Sequence, residues 1–221
     1  MLNKIYARYL LATNIPRLFE IIQTRQWCEQ MFSQWIANLE IQKNNKVLDV
    51  GCGPGVLTKT LAQNGYQATG LDQSEAMLTL ACRNSRVPLN TSTTPDFKQG
   101  DALNLPFTNN KFDVGIAASL INIIPSADKA LSEMRRTAKP GGKISFLVPS
   151  EKMNPSTAKN YCKENKISGL AASLLQLWSS KAICMPVDKA IALAENTDLE
   201  NITVHHYLDE MVISVTGKKP I

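Results

Sequence analysis

The chain has 221 residues, 44% of them hydrophobic and 19% charged, with a net charge of +5; this balance excludes a disordered or collagen-like chain and suits one domain with a lid. Its basic residues are dispersed, as in Arg135, Arg136, Lys139 and Lys143, or Lys159, Lys163 and Lys166, which reads as a solvated surface and disfavours nucleic acid as a partner. Five cysteines (Cys28, Cys52, Cys82, Cys162, Cys184) stand far apart without a C-x-x-C pair, which argues against a metal centre and for reduced thiols in a cytoplasmic protein.

Residues 1–43 read as helical. Met1 to Asn14 is apolar, carries Lys4 and Arg8 and has no acid. A transit peptide or a helix lying on a membrane has this composition; a helical cover over the active site is the preferred reading, with peripheral membrane contact as its rival. Pro16 suits a first helical position, and Leu18, Ile22, Phe32, Trp35 and Leu39 recur near a helical period. Val47–Val50 is the first strand. Helix 56–63 follows and stops at Asn64-Gly65. Gln67–Leu71 is the second strand, Ser74 caps a helix over 75–84, and 85–95 is a polar loop. Asp96–Gln99 and Phe112–Ala117 are further strands. Ser126 caps helix 127–138, which Lys139-Pro140-Gly141-Gly142 stops before a strand over 143–148. Residues 150–185 form a helical lid, and 187–195 another helix. The apolar run 167–187 is broken by Gln176, Lys181 and serines, so it predicts no transmembrane span. Strands over 201–207 and 211–216 are joined by about three residues, too few for a parallel crossover, so they must be antiparallel.

Alternating strands and helices predict an α/β, mostly parallel, doubly wound sheet. The expected organisation is a single domain, 1–221: cover 1–43, core 46–149, lid 150–185, and a C-terminal helix and hairpin over 186–221.

The core carries the chemistry. Val47-Leu48-Asp49-Val50-Gly51-Cys52-Gly53-Pro54-Gly55 is strand, tight glycine turn and helix start, a loop where a ligand can touch bare backbone. Asp49 lies inside the strand, where nicotinamide-binding loops usually lack an acid. Asp72 ends the second strand, 21 residues after Gly51, where a carboxylate can accept from both hydroxyls of a ribose. Gly100-Asp101-Ala102-Leu103 follows the third strand, with a helix N-cap as the plain reading of Asp101.

This succession resembles the motifs of the class I S-adenosylmethionine (SAM) methyltransferases over residues 46–149, closest to the group that contains the ubiquinone/menaquinone-biosynthesis methyltransferases. The text Gly70-Leu71-Asp72-Gln73-Ser74-Glu75-Ala76-Met77-Leu78 resembles the second motif; Phe112-Asp113-Val114, Ala117-Ala118-Ser119-Leu120, Ala130 to Arg136 and Lys139-Pro140-Gly141-Gly142-Lys143 match those that follow. The resemblance implies a Rossmann-like sheet of order 3-2-1-4-5-7-6 with strand 7 antiparallel. It implies SAM as cofactor, held by Asp49, Gly51, Cys52, Gly53, Gly55, Asp72, Gln73 and Met77, with Asp101, Ala102 and Leu103 around adenine and Ala118 beside the methionine part. One departure is visible: Asn122-Ile123 stand where relatives often carry His-His and the quinone enzymes Arg-Asn.

Methyl transfer from a sulfonium is an in-line displacement that chiefly needs alignment and exclusion of water. A base is required only if the acceptor must lose a proton. His205 and His206 are the candidates, on a strand expected to reach the substrate rim, and Asn122 is a candidate for orienting the acceptor. Tyr6, Tyr9, Trp27 and Trp178 sit in the expected cover and lid, with core packing as their plain reading. The expected function is methylation of a small molecule. Methylation of RNA or protein, and a SAM-binding module without turnover, are the alternatives; Asn154-Pro155 is followed by Ser156-Thr157 rather than the Pro-Tyr of nucleic-acid amino methyltransferases.

Overall fold

The computed structural model describes residues 2–85 and 93–221; the middle of the polar loop expected over 85–95 lies outside the described residues. The N-terminal cover is three helices, α1 (Leu2–Thr13), α2 (Ile15–Gln23) and α3 (Gln26–Asn38). Asn14 caps α2 by accepting from the Arg17 N–H, with Pro16 in the first turn where its missing donor costs nothing. The core follows as β1 (Lys46–Val50), α4 (Val56–Gln63), β2 (Gln67–Asp72), α5 (Glu75–Ser85), β3 (Asp96–Gln99), β4 (Phe112–Ala118), α6 (Ala127–Thr137) and β5 (Ala138–Pro149). The lid is α7 (Pro155–Glu164) and α8 (Gly169–Lys181); α9 (Val187–Glu195), β6 (Glu200–Tyr207) and β7 (Val212–Lys218) close the chain.

The seven strands form one sheet of order β3-β2-β1-β4-β5-β7-β6. β1 to β5 are parallel, β7 runs antiparallel to β5, and β6 antiparallel to β7. The inner strands are buried on both faces and so read as unbroken apolar runs. Successive side chains serve opposite cores. Val47, Ile116 and Leu147 join α3, α4, α7 and α8 on one face, while Leu48, Ala117 and Val148 join α6 and α9 on the other. Trp35, fully buried, donates its indole N–H to Ser145 Oγ at 2.9 Å and pins α3 to the sheet. Its truncation to alanine would cost about 3–5 kcal/mol.

Two local expectations differ from the structure. Ser126 occupies the N-cap position of α6 but makes no capping hydrogen bond, so that helix start rests on packing. Lys139-Pro140-Gly141-Gly142 is not a turn outside the sheet. Ala138 already pairs with Phe112, and the segment is an irregularity within β5 before Lys143 pairs with Val114. Gly142 is required there: a Cβ would stand 2.8 Å from the Lys139 carbonyl and 2.9 Å from the Asp113 carbonyl.

Candidate active site

Parallel strands β1, β2 and β4 end on one rim of the sheet, and the loops leaving them build the site. Gly51, Gly53 and Gly55 all have left-handed φ, between 54° and 75°. Gly53 matters most. A Cβ there would meet nothing nearer than Met77 Sδ at 3.9 Å, so the loop keeps open space beside bare backbone. Its N–H donates to Asp72 at 2.8 Å, and Ser74 N–H donates to the other carboxylate oxygen at 2.9 Å. Two backbone donors thus fix Asp72 at the loop's edge while leaving lone pairs for a ligand.

Asp49 lies beneath the loop, 1% exposed. Thr58 Oγ1 donates to its Oδ2 at 2.7 Å, but Oδ1 is buried without a partner. Burial is the main reason its pKa is pushed up to about 7; the Thr58 hydrogen bond opposes the rise and the charge of Asp72 adds to it. Cys52 is also buried, and its thiol is held neutral by burial and by the charges of Asp49 and Asp72. Asp101 makes a tight local turn, accepting from Leu103 N–H at 2.8 Å. The helix cap read from the sequence is absent because residues 101–104 form a turn closed by a bridge rather than a helix.

These groups border a cavity of about 720 Å³. Gly51, Gly53, Asp72, Gln73, Met77, Asp101, Ala102, Leu103, Ala118 and Asn122 all lie on its wall. Asp49, Cys52 and Gly55 do not; they support the wall from below. The cavity continues past the glycine loop into an apolar chamber between cover and lid, lined by Leu18, Ile22, Phe32, Leu177, Trp178 and Ile183 among others. Trp178 stacks on buried Trp27 with ring centroids 5.8 Å apart. Tyr6 and Tyr9, by contrast, are exposed at 43% and 61% and pack in no core.

Three polar groups in the chamber are conspicuous. Asn122 donates to the Ile183 carbonyl at 2.8 Å, while its Oδ1 is buried without a partner. Gln23 Oε1 is likewise buried and unpaired. Lys181 is the only cationic side chain among the described residues of the wall. Ser119, beside Ala118, has φ 54°, a strained conformation of the kind that collects at functional sites. Gln23 carries no signal in the sequence, since it belongs to no motif, whereas Ser119 stands inside the matched Ala117 to Leu120 text. Lys181 showed itself there only as an interruption of an apolar run.

His205 and His206 do not reach this cavity. β6 does end on the same rim, because it runs parallel to β5, but β4, β5 and β7 separate it from β1. His206 instead borders a polar groove with Tyr161 and Glu210.

A family model described as a methyltransferase domain matches residues 48–146. The demethylmenaquinone methyltransferase of Lactobacillus johnsonii is 34% identical over 132 residues, and this chain spans about half of it, 52%. That of Shouchella clausii is 33% identical over 232 residues, covering 99% of this chain and 94% of the relative. The chain belongs to the class I SAM-dependent methyltransferases, the family that includes these quinone-biosynthesis enzymes. A solved SAM-dependent methyltransferase from Methanosarcina mazei has the same fold as this methyltransferase, with a TM-score of 0.65 at 21% identity over 84% of this chain and 97% of that one. The site agrees with the cofactor. Bare backbone at Gly53, the carboxylates of Asp72 and Asp101 on the wall, and the unpaired Asp49 oxygen beneath it suit a ligand with ribose hydroxyls, an exocyclic amine and positive charge. Among the described residues no helix is long and apolar enough to cross a membrane, and no cluster of His, Cys, Asp and Glu could hold a metal.

Proposed function

We propose that this methyltransferase acts on an apolar small molecule bearing a hydroxylated ring, as its relatives' name, demethylmenaquinone methyltransferase, suggests. The observation that carries the reading is the single cavity that runs from the glycine loop into the apolar chamber under α2, α3 and α8. A polar acceptor would gain nothing from such a lining.

Asp72 would hold the ribose, and Asp101 with the Ala102 and Leu103 backbone would hold adenine. Ala118 would border the methionine part, and Asp49 would balance its positive charge from below through the loop of Gly51, Cys52, Gly53 and Gly55, with Gln73 and Met77 closing the side. When bound, the cofactor would supply an electrophilic methyl on sulfur. Asn122 and Gln23, whose buried oxygens lack donors, accept from the acceptor's hydroxyls and set the ring's angle. Lys181 stabilises the acceptor as a phenolate, which raises its nucleophilicity without a side-chain base. His205 and His206, outside the cavity, take no part, and the acceptor's proton leaves to solvent. The apolar walls exclude water from the transfer path.

Incubation with methyl-labelled SAM tests this. Reduced naphthoquinols, simple catechols, bulk RNA and cell protein are offered in parallel. Label should enter the organic-soluble ring compounds. Label confined to RNA or protein, or no transfer despite SAM binding, would overturn the reading.

A further inference from the structure

The cover has two apolar sides. α1 turns Ala7 and Leu10 inward, 1% and 5% exposed, to pack with Leu18, Ile21 and Leu174. Its other side carries Leu2, Ile5, Tyr6 and Tyr9, exposed at 82%, 58%, 43% and 61%. These four follow the spacing i, i+3, i+4, i+7, which is one helix face. Ile15 and Phe19 of α2 add to the exposed surface at 47% and 40%. Lys4 and Arg8 are exposed on α1, which contains no acid, and neither forms an ion pair among the described residues. Phe19 belongs both to this surface and to the wall of the cavity, beside buried Leu18 on the same wall. The exposed apolar patch therefore runs into the cavity rather than ending on the surface.

We propose that the outer face of α1, with Ile15 and Phe19, seats on an anionic phospholipid surface, and that the acceptor enters the cavity from that surface past Phe19. The inference rests on the apolar acceptor of the preceding section. Charge selects the occupant: a basic, acid-free helix with apolar and tyrosine side chains on one face suits the headgroup boundary of an anionic bilayer. Tyrosine favours that boundary, where its ring is buried and its hydroxyl stays wet. A basic residue close to such a surface strengthens binding about fivefold; Lys4 and Arg8 lie around the helix from the apolar face, so together they give at most about 25-fold selectivity for anionic over neutral lipid.

Flotation of the whole protein with vesicles tests the proposal. One set contains phosphatidylcholine and phosphatidylglycerol in equal parts, the other phosphatidylcholine alone. The protein should float with the anionic set and much less with the neutral one, and salt at about 1 M should narrow the difference. Ile5→Glu with Tyr9→Glu should lower binding roughly tenfold or more. Lys4→Gln with Arg8→Gln should abolish only the preference for anionic lipid. Both double variants should keep the wild-type SAM affinity by calorimetry, which shows that the core has folded. Failure of the wild type to float with anionic vesicles would overturn the proposal. So would equal binding to both sets, or a dimer that the glutamates disperse without a change in vesicle binding. The two readings fail separately: flotation without methylation of any ring compound refutes the acceptor class, whereas methylation of a water-soluble catechol without flotation refutes the docking surface.

Discussion

Asp49→Asn should change how stability depends on pH, and the structure gives the size of the change. The carboxyl is buried with one oxygen unpaired, and its pKa is pushed from 3.8 to about 7. In the unfolded chain the group ionises near its ordinary value; in the folded chain it keeps its proton until about 7. Between those values the folded state binds more protons, so Asp49 makes stability fall as pH rises from about 4 to 7. Above 7 both states are ionised and the penalty is constant, on the order of 4 kcal/mol. Asparagine cannot ionise. Relative to the wild type, the variant should therefore gain on the order of 4 kcal/mol between pH ~4 and pH ~8, whatever its offset at the acid end. Urea unfolding of the cofactor-free protein across that range measures the difference directly. Parallel pH profiles for the two proteins would refute the argument, because they would show Asp49 ionising as freely in the fold as in water. The same logic makes cofactor binding release a proton near pH 6, since positive charge above Asp49 favours its ionised form. Calorimetry in buffers of different ionisation enthalpy should show that release in the wild type and not in the variant.

Asp72→Ala should weaken SAM binding by roughly tenfold to a hundredfold, the worth of a hydrogen bond to a charged group, with unchanged affinity by calorimetry counting against the ribose role. Lys181→Met should lower kcat/KM about tenfold or more and move the acid limb of its pH profile upward, as the acceptor loses the charge that favours its phenolate. Lys181→Arg should restore much of the profile, and SAM affinity should hold in both; a flat response would assign Lys181 to the solvated surface. His205→Ala and His206→Ala should retain turnover, singly and together, and a large loss in either would return a base to the mechanism.

The core was legible because its signals are local. Strand, glycine turn, helix and acid recur within short spans, so Val47 to Gly55 and Gly70 to Met77 could be placed from their own neighbours. The antiparallel ending follows from the shortness of the expected 208–210 connection. The rest depended on lateral position. His205 and His206 lie on a strand that ends at the right rim, and only the sheet order shows that β4, β5 and β7 stand between them and the glycine loop. The Lys139 to Gly142 segment reads as a turn because proline and glycine usually mark one, yet the pairs Phe112 with Ala138 and Val114 with Lys143 place it within β5 as an irregularity. Gln23 and Lys181 gain meaning only once α2 and α8 are packed over the same chamber.

The acceptor half of the site is a joint product of cover, core and lid, and its polar groups cannot be treated as independent. Asn122 sits at the bend after β4, close to Ala118 and the strained Ser119. Its amide holds the Ile183 carbonyl two residues beyond Lys181, so one side chain both lines the cavity and anchors the end of the lid. Removing it would unpair the Ile183 carbonyl and loosen Lys181 together. The charges are divided in the same way. Asp49 lies under the glycine loop, Asp72 at its edge and Asp101 further along the same cavity wall, on the side where the cofactor's positive charge would lie. Lys181 stands on the chamber side, where a phenolate would form. On the proposed reading each reactant would meet complementary charge on its own side, from buried Asp49 beneath the cofactor and from solvent-exposed Lys181 beside the acceptor. A fold that offers bare backbone at one strand rim can thus hold a cofactor by local motif, while the walls of the adjoining chamber come from helices far from that motif in the chain.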